Sequence, residues 1–113
     1  MQLRMPMMDN IEVNEQGGKG TRITERYDLI DPLALERMAD IMGEGAAKYG
    51  ENNWRLVPAR THLNHALRHA LKWSFGDNKE DHAGHFFTRA MMFLAMALEE
   101  EGKARMVLYE GNA

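Results

Sequence analysis

All five histidines of this 113-residue chain fall on two short stretches. "THLNHALRH" spaces His62, His65 and His69 three and four residues apart, and "DHAGHFFTR" repeats that spacing with His82, His85 and Arg89. On a helix, residues three or four apart share a face, so each stretch presents a row of donors. Trp73 lies one turn beyond the first row, and Glu80 and Asp81 come just before the second. Arg68 points about a quarter turn away from its neighbouring row. If the two stretches are successive helices folded back across a short turn, the rows meet. Three chemistries suit that meeting. The imidazoles can be boundary residues that satisfy buried edges. They can hold a metal, with His65 and His69 at the i, i+4 spacing that lets two rings bind one ion and His85 or Asp81 as third ligand. Or they can bind an anion, since imidazole and guanidinium donors suit phosphate oxygens while Trp54 or Trp73 offers a stacking surface for a base.

A second stretch, "GAAKYGENNW" at residues 45–54, runs small residues into Lys48 and Tyr49, breaks at Gly50, and then offers Asn53 and Trp54. Gly50 suits a left-handed helix cap whatever the function. Capping alone explains neither the amide nor the indole, so this stretch is expected to form the near wall of a pocket. Upstream, Glu36, Asp40 and Glu44 share one helix face. That row is either a solvated acidic face or a set of oxygen ligands for magnesium. Lys48 extends it as a favourable i, i+4 partner of Glu44. "LEEEGK" near residue 100 reads as solvent-facing charge. "GGKGTR" at 17–22 lacks the ending and spacing of a P-loop, so a flexible linker is preferred there to a phosphate cradle.

These residues need helices to position them, and the pattern supplies three. Asp31 and Pro32 make a helix start, and Leu35, Met38, Met42, Ala46 and Tyr49 follow as an apolar stripe. Gly43 and Gly45 within it cost about 1 kcal/mol each against alanine, which suggests close approach of another backbone or a ligand. A second helix is expected over Thr61–Phe75, with Thr61 as its cap, Gly76 as its stop, and Leu63, Ala66, Leu67, Ala70, Leu71 and Ser74 facing the core. A third is expected over about His82–Glu101, apolar nearly all round from Ala90 to Leu98 and therefore central. "RMVLYEGNA" extends it or forms a strand. Residues 1–26 lack a helical period and read as an extended or flexible arm, leaving 27–113 as the helical domain. The expected fold is all-α, a small bundle of three or four helices, associating as a homo-oligomer because one monomer cannot hide so much apolar surface.

Composition narrows the classes further. The net charge of -3 argues against a nucleic-acid polymer as partner. Without cysteine there is neither a disulfide framework nor a thiolate metal site. The longest apolar run falls far short of the ~20 residues that cross a bilayer, and "MQLRMPMMDN" is no signal peptide, so a cytoplasmic protein without a membrane partner is expected.

The order and spacing of "RYDLIDPLAL", "GEGAAKYGENNW", "LRH", a Gly-acid turn and a helix entered through His resemble the phage and bacterial dATP/dGTP diphosphohydrolase-like domain. That family is related to the all-α MazG-like nucleotide pyrophosphohydrolases. The resemblance covers roughly residues 17–98. It implies cleavage of a purine deoxynucleoside triphosphate between its α and β phosphates, aided by Mg2+. Carried over to this chain, it implies nucleotide contacts from Lys48, Asn53 and Trp54, with Arg68, His69 and His85 facing the same pocket; Arg26, His65 and Arg89 are further candidates for nucleotide binding. MazG-like enzymes carry a Glu-Glu-x-x-Glu set and a Glu-x-x-Asp set, and neither is present. Glu44, Glu80 and Asp81 are the catalytic substitutes, with Glu44 and Asp81 as the metal pair. A pocket rich in His and Arg but short of carboxylates also suits a second function. It would capture a nucleotide, such as an immune signalling one, without cutting it and so counter host defence.

Overall fold

A computed structural model describes residues 10–111, with side chains as far as Lys103. Most of the opening "MQLRMPMMDN" and the side chains of the terminal "RMVLYEGNA" lie outside the described residues. The chain divides into two compact units after Asp31, five residues beyond the boundary read from the sequence.

The first unit holds a small antiparallel hairpin, β1 (Ile11–Val13) and β2 (Lys19–Thr21), with Ile11 opposite Thr21 and Val13 opposite Lys19. Its turn is built by Asn14, whose side-chain oxygen accepts the N–H groups of Gln16 (3.0 Å) and Gly18 (2.8 Å). Gly17 takes the left-handed conformation the turn needs (φ +84°) and donates to the Asn14 carbonyl. The glycine-rich stretch is therefore a hairpin turn rather than a loose linker. Two of the N–H groups a phosphate cradle would use are already bonded to Asn14. A 3-10 turn follows at Tyr27–Leu29, beside which Arg26 holds both carboxylate oxygens of Asp28 (2.9 and 2.7 Å).

The second unit is all-α: α1 (Pro32–Tyr49), a 3-10 turn (Asn53–Leu56), α2 (Ala59–Ser74) and α3 (His82–Gly111). Backbone through "RMVLYEG" continues α3 as helix. α3 packs against both α1 and α2. Three hydrogen bonds show that α2 and α3 run antiparallel: the Ala59 backbone N–H with Glu100, His62 with Arg89, and His69 with His82.

The helix ends follow from their residues. α1 stops at Gly50, left-handed at φ +98°, whose N–H bonds the Ala46 carbonyl. α2 stops at Gly76 (φ +83°), where Asp77 N–H reaches back to the Lys72 carbonyl in a Schellman closure. At its start, α2 begins two residues before the expected Thr61. Pro58 offers no capping side chain, and Glu100 of α3 accepts the Ala59 N–H instead (3.1 Å). The acids of "LEEEGK" are exposed, as expected, and Glu100 at the same time ties two helices together.

The buried faces are rotated from those expected. On α1, Ile41 is buried and Met38, Met42 and Gly45 flank it, while Leu35 and Tyr49 are exposed. On α2, the buried face is Ala59, His62, Ala66 and His69, and Leu71 is 57% and Trp73 64% exposed. The histidine row is the packing face, and part of the leucine row is solvent-facing. Gly43 and Gly45 have no other chain segment within reach of an added Cβ, so no neighbouring backbone explains them. Gly84 is the crowded glycine: a Cβ there would overlap the Asp81 carboxylate and come within 2.9 Å of Ile41 Cδ1. Its lack of a side chain lets α1 and α3 meet.

Candidate functional site

A cavity of about 680 Å³ opens between the end of α1, the following 3-10 turn, α2 and α3. Lys48, Asn53, Trp54, His65, His85 and Arg89 all line it, as does Glu44. Residues not singled out for contact from the sequence join them, notably Glu51, Asn52 and Thr61. Asn52 takes the left-handed conformation (φ 62°), which turns the chain from the helix cap into the 3-10 turn and sets Trp54 beside α2. Arg55 stacks over the Trp54 indole at 4.4 Å.

His62 organises this end of the molecule. Its side chain is fully buried (0% exposed). Arg89 can only donate, so its contact with His62 Nδ1 (3.1 Å) makes that nitrogen an acceptor. Nε2 then carries the proton and donates to the Trp54 carbonyl (2.9 Å). One neutral imidazole therefore fixes both the turn that carries Trp54 and the guanidinium. Burial holds its pKa below the ordinary value, partly opposed by the Trp54 carbonyl, and Arg89 adds to the depression. His62 was legible only as a member of the row; its spacing from Ala59 and Ala66 is the signal that it faces the core.

Arg89 itself is partly buried, and burial lowers its pKa. Among the described residues, neither Arg89 nor Lys48 makes an ion pair; Lys48 lies over the Tyr49 ring at 5.0 Å. The expected Glu44–Lys48 pair is not formed. A cation withdrawn from water without a carboxylate is costly unless an anion joins it. Burial, then the charges of Arg89 and Arg68, push His65 down as well, favouring a neutral ring.

The other expected site residues lie elsewhere. Arg68, His69, Glu80 and Asp81 do not line the cavity. Arg68 faces Glu80 across 3.6 Å with both side chains about half exposed. Asp81 is engaged on both oxygens: one accepts the Gly84 N–H (3.1 Å), capping α3, and the other accepts from Arg37 Nε. Arg37, then the Gly84 N–H, hold its carboxyl below the usual range. His69 (6% exposed) and His82 (2% exposed) bring their Nδ1 atoms to 2.9 Å, and His85 stacks on His69 at 5.2 Å. Burial, then the His85 and Arg68 charges, push His69 down to about 4. Arg26 belongs to the first unit, bonded to Asp28.

The arrangement thus holds two polar centres along one helix pair. The larger is a cavity with unpaired cations, two carboxylates (Glu44 and Glu51) and aromatic and amide groups, which suits a phosphorylated ligand bearing a flat ring. Among the described residues, no helix is long and apolar enough to cross a membrane. No curated protein and no solved structure matches the chain. The sequence profile of the dATP/dGTP diphosphohydrolase N-terminal family matches residues 14–105, most of the chain, and to that nucleotide-handling family this protein belongs.

Proposed function

We propose that the cavity binds a purine deoxynucleoside triphosphate and that the protein hydrolyses it between the α and β phosphates. The observation that carries this reading is the pairing of Arg89 and Lys48, cations without carboxylate partners, on one cavity with Trp54 and Asn53. The cations meet the phosphates through charge-assisted hydrogen bonds. Asn52 and Asn53 offer donors and acceptors to a base edge. Water attacks the α phosphorus, the bond to the α–β bridging oxygen breaks, and pyrophosphate leaves with the electron pair. His65, favoured neutral and lining the cavity, would take the proton of the water.

The family implies magnesium, and the donor set suits it with one change of ligand. Magnesium typically takes one or two carboxylates plus substrate phosphate oxygens. Glu44 and Glu51 line the cavity without ion pairs, whereas Asp81 is held by Arg37 and the start of α3. Glu44 and Glu51 would hold the ion. When bound, it supplies charge neutralisation on the phosphates.

Capture without cleavage is the second reading, supported because, among the described residues, the cavity offers those two carboxylates against several cationic or imidazole donors. Its ligand would be a nucleotide of host defence in a phage-infected bacterial cytoplasm. Incubation with a nucleotide panel and magnesium, followed by chromatography before and after heat denaturation, separates the two. Monophosphate and pyrophosphate mean hydrolysis. Intact ligand recovered only after denaturation means capture, and no retained or converted nucleotide contradicts both.

The chain is also proposed to act as a homo-oligomer. Among the described residues, the buried apolar ones are few (Ile41, Ala59, Ala66 and Met96), while Leu67, Leu71, Leu94 and Leu98 stand open on α2 and α3. Light scattering should give at least twice the 13.0 kDa chain mass. A monomer at micromolar concentration would contradict it.

A further inference from the structure

We propose that His69, His82 and Glu80 form a site for a divalent transition metal, with zinc as its occupant, that clips the end of α2 to the start of α3. One nitrogen of each ring and a Glu80 carboxylate oxygen lie within 4.8 Å of one another. Zinc ligands stand about 2.0–2.2 Å from the ion, so the three donors need to draw in by only ~1 Å. The mobile partner is the exposed one: Glu80 is held only by Arg68 at 3.6 Å, a surface pair of small worth. The two rings are already fixed by burial, and their Nδ1 atoms stand 2.9 Å apart. That separation suits two donors of one ion as well as it suits one shared proton. Two imidazoles and a carboxylate favour zinc and its neighbours over magnesium.

A second observation comes from the far side of His82. Its Nε2 is buried and makes no hydrogen bond. It lies 3.4 Å from Asp77 Oδ1, within ion-pair range but without hydrogen-bond alignment. A metal on Nδ1 places the ring proton on Nε2, on the side of this carboxylate, which a small ring rotation would bring into line. Carboxylate–histidine–metal relays are the usual support of such ligands, fixing the tautomer and the ring orientation. With the ion on Nδ1, the buried Nε2 has the role of the donor that faces Asp77. Glu80, on the solvent side, provides the entry path. His85 stacks on His69 and also lines the nucleotide cavity, so an ion that immobilises His69 stiffens one wall of that cavity.

This site differs from the sequence expectation of His65, His69 and His85 or Asp81. His65 and His85 line the cavity and Asp81 caps α3, leaving His69 to pair across the turn with His82. The inference does not rest on nucleotide binding.

The test is calorimetric titration of the chelator-treated full chain with zinc chloride in nucleotide-free buffer, with thermal melts in parallel. One ion per chain and a rise in Tm of about 5 °C or more at saturating zinc are expected. Glu80→Gln, exposed and remote from the core, should weaken zinc at least about tenfold and reduce the rise in Tm. Glu44→Gln should leave both unchanged, which separates this site from the magnesium ligands. No zinc uptake, or equal uptake by Glu80→Gln and the native chain, overturns the proposal.

Discussion

The two ends of the α2–α3 interface use the same kinds of residue in different partnerships. At the cavity end, His62 is locked between the Trp54 carbonyl and Arg89, and no carboxylate pairs with the guanidinium. At the turn end, His69 and His82 face each other with Asp77 and Glu80 close by. At the cavity end, imidazole and guanidinium offer donors that suit phosphate oxygens. At the turn end, Glu80 faces Arg68 and Asp77 faces Lys72, and the imidazoles add nitrogen donors beside those carboxylates. A histidine row read from spacing alone looks uniform; its meaning is set by the charged groups the fold brings to each end.

The largest effect that would sharpen this contrast is expected at the cavity end. Glu44→Gln should lower turnover at least 100-fold, about 3 kcal/mol in the barrier, while nucleotide affinity without magnesium is largely spared. Turnover that survives this change, or affinity lost with it, breaks the assignment of Glu44 to the metal rather than the base.

Gly84 lies between α1 and α3, where Cβ has no room against Asp81 and Ile41. Gly84→Ala should cost about 1–3 kcal/mol of stability, measured by urea unfolding. A stable variant would mean that α1 can shift away from α3, and with it Glu44 and Lys48.

Protonation offers a smaller, graded way to break the cavity end. His62 titrates lower in the folded chain than in the unfolded one, so the unfolded state binds more protons once pH falls below about 6.5. The stability this gives is present above that pH and is lost as pH drops towards the folded value. Unfolding free energies at pH 7.5 and 5.5 should therefore differ more in the native chain than in His62→Asn. Equal differences would contradict the buried neutral ring.

The elements were legible because their punctuation is local. Asp31-Pro32, Gly50 and Gly76 mark helix ends by backbone geometry, which a sequence carries directly. The facing of α2 was not legible, because a row of histidines and a row of leucines differ in hydrophobicity in the direction opposite to their burial here. What decides it is Arg89 and His82 arriving from α3 to meet His62 and His69. For the same reason Asp81 looked like a metal ligand until Arg37, 44 residues earlier, took its free oxygen. Lys48, Asn53 and Trp54 were readable as one wall since they are contiguous with a helix cap. Glu51 lies in that same stretch, and only the cavity shows that it lines the same space as Glu44.

The most direct test of the account is a calorimetric comparison of Lys48→Ala with Arg68→Ala, using dATP and dGTP. Both are exposed cations of one sequence cluster, but Lys48 lines the cavity and Arg68 does not. Lys48→Ala should weaken binding by roughly 1.5–3 kcal/mol, about 10- to 150-fold, as the loss of a charge-assisted hydrogen bond predicts. Arg68→Ala should cost less than about 1 kcal/mol, the scale of its exposed contact with Glu80. Equal losses, or a larger loss at Arg68, would contradict the placement of the nucleotide in this cavity.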